Sequence, residues 1–317
     1  MTHLKIIRLG ISPYQNQQFP LWEKTQFNEL SPQLSYAFQT ELKELQSDSI
    51  IITNTNIQTD FLKNLCKEKL KLIIHPNSGY DNFSAKLVAT LDCPIIIGHG
   101  IRAQAVAEYI LACLFQHFTA PPFSRQWDPS RTWQRELLCH KKVLILGHGH
   151  IGKILEQSLK PLVKNICIYD PYKGKKTLDL TDADIIIPAA SLNHSSEHMI
   201  NTEFLQKISQ RAVIINASRG KIIHEQQLCQ WLQAHPHAFA YLDVFAKEPH
   251  DFASFKNLPN CQCTSHVAGV FRHLDEKILA FERLVVQKYL AGFDFFSPHE
   301  FNKACNLKNK LCNQQLI

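Results

Sequence analysis

What the chain lacks narrows it first. No run of roughly 18 consecutive apolar residues occurs, so no membrane span is expected in the 317 residues. The first ten residues alternate basic and apolar side chains. They lack the long apolar run and small-residue cleavage site of a secretory signal, which points to a cytoplasmic protein. No period of solenoid length repeats. The net charge of +6 is dispersed, apart from the stretch 173–176 and the tail lysines Lys303, Lys308 and Lys310. A nucleic-acid protein would gather that charge and interleave aromatics. Neither nucleic acid nor membrane is therefore expected as a partner, although a mildly basic surface suits anionic substrates.

Cysteine is not scarce, but an ordered disulfide framework is missing. The ten cysteines are scattered. Several, such as Cys113, Cys167 and Cys229, sit in apolar or helical contexts and read as buried free thiols. Paired cysteines would require an oxidising compartment, for which the sequence gives no sign. Cys261, Cys263 and His266 form the one tight cluster. It has no evident fourth ligand and matches no zinc spacing, so no metal site is expected.

What is present describes a globular α/β protein. Hydrophobic residues make up 45% and charged residues 20%, ordinary for a soluble fold. The length suits two domains. Short β-branched apolar runs lie at 5–9, 49–53, 71–75 and 94–97. Others lie at 142–146, 165–169, 184–187, 212–215, 239–243 and 262–265. Helical stretches separate them, and continuous apolar runs spaced in this way are how buried parallel strands read. The alternation predicts an α/β architecture with doubly wound parallel sheets.

A long helix is expected over 103–118, followed by a loop carrying Pro121, Pro122 and Pro129. Another helix is expected from after Gly269 to about Leu290. The spacing predicts a first domain of residues 1–100, completed by 271–317, and a nucleotide domain of residues 101–270. A ligand cleft is expected where the chain crosses between them. The tail from 302 onward is polar and basic, and either packs on the first domain or stays partly disordered. No separate regulatory domain is expected after it.

The clearest motif is Gly147-His-Gly149-His-Ile-Gly152, which follows the apolar run Val143-Leu-Ile-Leu146 and precedes a helix expected over 153–162. Gly147 suits a tight turn, Gly149 a close approach of backbone to a pyrophosphate, and Gly152 close packing of helix on strand. The helix N-terminus offers N–H groups to phosphates. Asp170 lies 18 residues beyond Gly152, where an acid can accept hydrogen bonds from the adenine ribose diol. It would repel a 2′-phosphate, so NAD is favoured over NADP. An adenosylmethionine-binding methyltransferase is the runner-up on this turn alone, and the residues downstream argue against it.

Three later segments each put one polar residue just beyond an apolar run: Arg219 after 212–215, Glu248 after 239–243, and His266 at the end of 262–265. In an open parallel sheet these ends face the ligand crevice. A 2-oxo acid offers a carboxylate and a carbonyl, which the planar fork of Arg219 can grip. Reduction of the carbonyl needs a proton on its oxygen. A histidine side chain can supply or remove it near neutral pH, which suits His266 to the task, and a neighbouring Glu248 favours the imidazolium and fixes the ring.

With these residues in view, the chain resembles the D-isomer-specific 2-hydroxyacid dehydrogenase family, phosphoglycerate dehydrogenase-like, over about 50–290. The resemblance rests on Ser78-Gly-Tyr-Asp81-Asn, Val106-Ala-Glu108, the glycine turn, Asn216-Ala-Ser-Arg-Gly220, Leu242-Asp-Val-Phe-Ala-Lys-Glu-Pro249 and Ser265-His-Val-Ala-Gly269. It implies a Rossmann nucleotide domain with a smaller flavodoxin-like α/β substrate domain, and Arg219, Glu248 and His266 as the catalytic set. It further implies NAD held by Gly147, Gly149, His150, Ile151, Gly152, Asp170 and Pro171, with Asp243 at the nicotinamide carboxamide. Backbone amides at Asn77, Ser78 and Gly79 would receive the substrate carboxylate, and the protein would be a homodimer.

Substrates in keeping with the resemblance are phosphoglycerate, glycerate/hydroxypyruvate, glyoxylate and lactate/pyruvate. Arg102, His75 and His99 are possible contributors to binding a phosphorylated one, beside packing or surface roles. The same resemblance also covers a non-catalytic NAD(H)-binding sensor or interaction protein on this fold.

The chain departs from the family pattern at four places. Only 13 residues separate Asp170 from Asp184, which leaves the adenine side open and would weaken NAD binding. Ala189-Ala-Ser191 stands where the family commonly has His-x-Pro, Thr119 replaces an arginine usual at the end of the interdomain helix, and Ser265 replaces the proline before the histidine.

Overall fold

β-Branched and long aliphatic side chains pack well on a pleated surface covered on both sides, and the apolar runs form strands accordingly. The computed structural model describes residues 4–133 and 135–312. They divide into two compact units, one built from the chain up to Arg102 and from Val270 onward, the other from Ala103–Gly269.

The first unit contains β1 (Lys5–Leu9), α1 (Phe19–Leu30), β2 (Ser35–Gln39), β3 (Ser49–Ile52), β4 (Leu70–His75), α2 (Ala85–Thr90) and β5 (Ile95–Ile97). Its strands are parallel in the order β2-β1-β3-β4-β5, the flavodoxin-like order. Every residue of β3 and β5 is buried. β2 is the strand that the apolar runs did not reveal. It is an edge strand, and Ser-Tyr-Ala-Phe-Gln carries no long apolar run because none of its residues is fully buried.

α1 buries Phe19, Glu23 and Phe27, the i, i+4, i+8 stripe of one helix face. Glu23 is charged, so its burial requires a partner. Arg8 of β1 supplies it, with Nη2 donating to Oε1 at 2.7 Å and Nε to Oε2 at 3.0 Å.

The second unit contains α3 (Ala103–Thr119), β6 (Lys142–Leu146), α4 (His150–Leu159), β7 (Asn165–Tyr169), β8 (Ile185–Pro188), α5 (Thr202–Leu205), β9 (Val213–Asn216), α6 (Glu225–Ala234), β10 (Phe239–Leu242) and β11 (Cys261–Cys263). The six strands are parallel in the order β11-β10-β9-β8-β6-β7. Successive residues of a strand point to opposite faces. Leu144, Ile186, Ile214 and Leu242 therefore enter one core while Val143, Ile145, Ile185 and Ile215 enter the other. Each such side chain contributes about 1.5–3 kcal/mol on burial.

In the usual dinucleotide order a further strand lies outside the second one. Among the described residues β7 is outermost, which is the structural form of the short segment after Asp170. The proline-bearing loop between α3 and β6 is exposed, with Phe123 92% and Trp127 79% accessible.

The returning chain adds α7 (Leu274–Leu290), α8 (Glu300–Cys305) and α9 (Leu307–Cys312) to the first unit. α7 lies against α1, and its Glu282 takes a second hydrogen bond from Arg8. The basic tail packs through α8 and α9 against β5, with Leu307 fully buried. Its last residues, 313–317, lie outside the described residues. No described helix is long and apolar enough to cross a membrane.

Candidate active site

The sheet of the second unit is parallel throughout, so the segments after β9, β10 and β11 leave it at one end. Arg219, Glu248 and His266 all lie on those segments. Each is held by its own device.

Arg219 follows Asn216, the last residue of β9, whose side chain is nearly fully buried. Asn216 Nδ2 donates to the Arg219 carbonyl at 3.0 Å, and its Oδ1 accepts from the Ser218 N–H and hydroxyl at 3.1 and 2.8 Å. The amide thus closes the turn that presents the arginine. Gly220 then passes tight against the next segment. A Cβ there would sit 1.9 Å from the Phe245 carbonyl carbon, so a side chain is excluded. The contact brings the arginine turn beside the stretch that carries Glu248.

Glu248 Oε1 accepts from the Phe245 N–H at 3.0 Å, and Oε2 lies 2.7 Å from His266 Nδ1. Burial pushes the Glu248 carboxyl up. The His266 hydrogen bond, the Phe245 amide and the charges of His266 and Arg219 outweigh this and hold it below the usual glutamate range. An ionised glutamate accepts only, so Nδ1 carries a proton and Nε2 is the nitrogen left for substrate chemistry. The His266 side chain is 53% exposed.

Asp243 organises the histidine loop. It is fully buried. Its Oδ1 accepts from the Thr264 hydroxyl at 2.6 Å and the Val267 N–H at 2.8 Å, and its Oδ2 from the Ala268 N–H at 2.9 Å. Its backbone carbonyl accepts from the His266 N–H at 2.7 Å. These bonds hold His266 at φ +54°, a left-handed conformation that a β-carbon disfavours. The Tyr109 hydroxyl of α3 pairs with Thr264 at 2.7 Å and extends the network into the helix. The sequence reading found neither Thr264 nor Tyr109. Tyr109 adjoins Glu108, but nothing in the sequence ties it to residues so distant in the chain.

The glycine turn fits a dinucleotide on geometry alone. Gly147 has φ +107°, and a Cβ at Gly152 would lie 2.2 Å from the Gly147 carbonyl oxygen. α4 therefore begins at His150 rather than at the expected 153, with Gly149 as N-cap and both His150 and Ile151 in its first turn. A Cβ built on Gly149 meets nothing within 4 Å, so the backbone there faces open space in front of the helix N-terminus, where anions bind well.

Asp170 follows β7, and Pro171 opens a short 3-10 turn. Asp170 Oδ2 accepts from the His148 N–H at 2.8 Å, and Lys173 Nζ donates to the His148 carbonyl at 2.6 Å. The acid is thus tied to the glycine turn. His148 and Lys173 are further residues that the sequence reading did not single out.

In the first unit, Asn77 and Gly79 are buried and Ser78 is partly exposed. His75 supports this loop. Its Nε2 lies 2.7 Å from the Gly79 carbonyl and its Nδ1 2.8 Å from the Thr53 hydroxyl. His75 is fully buried, in keeping with a packing role for it rather than a contribution to phosphate binding. Arg102 donates to the Pro76 carbonyl at 3.0 Å and the Tyr14 hydroxyl at 2.8 Å. Among the described residues, no three His, Cys, Asp or Glu side chains form a group that could hold a metal ion.

Known proteins share parts of this sequence and its fold. Residues 116–268 match the family model for the NAD binding domain of D-isomer specific 2-hydroxyacid dehydrogenases. Over that stretch, just under half of the chain, the protein is similar to this family. It is 28% identical over 244 residues to erythronate-4-phosphate dehydrogenase of Legionella pneumophila, covering 72% of this chain but only 63% of that protein. In fold it is similar to the D-lactate dehydrogenase of Aquifex aeolicus, solved with NAD and lactic acid (TM-score 0.73, 18% identity, 96% and 99% of the two chains). It is likewise similar to the NAD-bound 3-phosphoglycerate dehydrogenase of Entamoeba histolytica (TM-score 0.70, 15% identity, 92% and 96%).

Proposed function

We propose that the chain interconverts a small D-2-hydroxy acid and its 2-oxo acid with NAD. The observation that carries this reading is the 2.7 Å pair of His266 Nδ1 and Glu248 Oε2, at the sheet end where Arg219 also emerges. The dinucleotide would supply or accept the hydride at the substrate's C2. In the reducing direction, protonated His266 gives its Nε2 proton to the carbonyl oxygen as that oxygen gains charge. Glu248 stabilises the imidazolium that is needed beforehand and fixes the ring. Arg219 binds the substrate carboxylate through its paired N–H groups and polarises the carbonyl. In the oxidising direction the neutral ring takes the hydroxyl proton. The Asn77, Ser78 and Gly79 amides are assigned to the substrate carboxylate as well.

Gly147, Gly149, His150, Ile151, Gly152, Asp170 and Pro171 would hold the dinucleotide. The Asp243 carboxylate is already engaged by three donors. A contact with the carboxamide would therefore be added to its hold on the loop. A cytoplasmic setting, with its reduced thiols, suits the nine described free cysteines. A homodimer is supported by the exposed arm carrying Phe123 and Trp127, since large aromatics left bare on one loop are typical of a surface that a partner covers.

The test is thermal unfolding with NADH and with NADPH, followed by a screen of 2-oxo acids for NADH oxidation. The oxidised product of 4-phosphoerythronate heads the screen, because a sequence relative is named for that substrate. Ligand at 100 times its Kd adds about 2.7 kcal/mol, a shift of several degrees. A shift with NADH alone together with turnover of a 2-oxo acid supports the reading. No shift with either dinucleotide at millimolar concentration would leave an interaction role on the same fold as the better account.

A further inference from the structure

Next to the histidine loop stands a feature that hydride transfer does not use. Cys261 and Cys263 bracket the three residues of β11. Side chains at i and i+2 of a strand share a face, and here the two sulfurs lie 3.9 Å apart. β11 is an edge strand paired only with β10, through Ala240 opposite Cys261 and Leu242 opposite Cys263. Both thiols are partly exposed. Three residues after Cys263 comes His266.

We propose that Cys261 and Cys263 are an oxidation site, closed to a disulfide by a hydroperoxide, and that closure displaces β11 and the His266 loop. The sulfurs share a proton. The hydrogen bond to Cys263 raises the Cys261 thiol, and the hydrogen bond from Cys261 lowers Cys263. Cys263 is therefore the nucleophile, since the thiolate is the reactive form. Its sulfur attacks one peroxide oxygen. An S–O bond forms, the O–O bond breaks, and the departing oxygen leaves as water or alcohol once protonated. Cys261 then attacks the sulfenic sulfur. The S–S bond forms, the S–O bond breaks, and the released hydroxide takes the Cys261 proton as water. Two thiols lose two hydrogens and one hydroperoxide is reduced.

The coupling to the loop is geometric. Side chains at i and i+2 of an extended strand stand parallel about 6.5 Å apart, whereas the Cβ atoms of a disulfide lie about 3.5–4.5 Å apart with sulfurs at about 2.05 Å. The strand must therefore pucker at Gln262. An edge strand with a single neighbour can do so, at the expense of its pairing with β10. The Thr264 N–H bond to the Leu242 carbonyl (2.9 Å) and the His266 N–H bond to the Asp243 carbonyl (2.7 Å) follow directly after it, so they loosen with it.

The test treats the full chain with hydrogen peroxide and reads mass rather than turnover. The expected result is a loss of 2 Da, mapped without reduction to the peptide holding both cysteines and restored by dithiothreitol. In C261S the intermediate should persist and be captured by dimedone on Cys263, while C263S should show neither change. Hydrogen exchange over 261–268 should rise on oxidation and fall back on reduction. Absence of the 2 Da loss at this peptide, while exposed Cys66 or Cys139 is oxidised in the same sample, overturns the oxidation site. Disulfide formation with unchanged exchange overturns the coupling. Neither reading requires the dehydrogenase assignment to hold.

Discussion

Two pairings of a carboxylate with a basic side chain sit in the two units, and they differ in one respect. Glu248 and His266 are half-buried at the end of a sheet, with the ring open to solvent on one side. Glu23, Arg8 and Glu282 are sealed inside the first unit with no exposure at all. The exposed pair can exchange protons and meet a substrate. The buried trio can do neither, and its charges must balance internally. It holds two carboxylates against one guanidinium, while the Tyr36 hydroxyl donates to Glu23 at 2.5 Å. Burial drives the Glu282 carboxyl well above the glutamate range, against the pull of Arg8, so a proton resides there. Exposure, more than residue type, separates the chemical pair from the structural one.

The comparison breaks most visibly at the two basic groups. His266→Gln removes the proton carrier while keeping a polar side chain, and kcat should fall by on the order of 10²–10⁴-fold with the unfolding temperature nearly unchanged. If turnover survives, the acid–base assignment is wrong. Arg8→Met should do the opposite. Breaking a buried ion pair costs about 3–5 kcal/mol, read as a large drop in unfolding midpoint, whereas catalysis by the protein that remains folded should persist.

A smaller effect sharpens the contrast. Glu282 takes up a proton on folding, so its contribution to stability is fully present below the unfolded glutamate pKa and is lost as pH rises through the higher folded value. Glu282→Gln mimics the protonated form. Its stability relative to the parent should improve steadily from pH 5 to pH 8, and a pH-independent difference measured by urea unfolding would show that no proton is held there. Smallest of all, Tyr109→Phe removes the outer hydrogen bond of the Asp243 network and should cost about 1 kcal/mol. A modest fall in kcat should accompany it, and Thr264→Val should act in the same direction more strongly because it also strips a donor from Asp243.

The same contrast explains what could be read in advance. Arg219 and Glu248 follow apolar runs and His266 follows the short edge strand β11, and a parallel sheet turns that sequence position into a shared end. The glycine turn was legible because tight turning and close packing restrict residue choice there. The Arg8–Glu23–Glu282 cluster was not, because Glu282 meets Arg8 across most of the chain's length and no local pattern marks either. β2 escaped because an edge strand need not be apolar on both faces. The start of α4 lies three residues before the expected one because the turn's last glycine packs inside the helix's first turn rather than ahead of it. For His75 the sequence left packing and ligand roles both open, and the structure spends its two ring nitrogens on Thr53 and Gly79.

The passage of Gly220 against Phe245 has a consequence for how this site can change. The turn presenting the arginine and the turn presenting the glutamate are in backbone contact, so neither can be lengthened or reshaped alone. A graft of either loop from a relative of different specificity would carry a misfit into the other. Variation in substrate choice is therefore easier to introduce through residues outside this pair of turns, and the two turns should be transplanted together or left as they are.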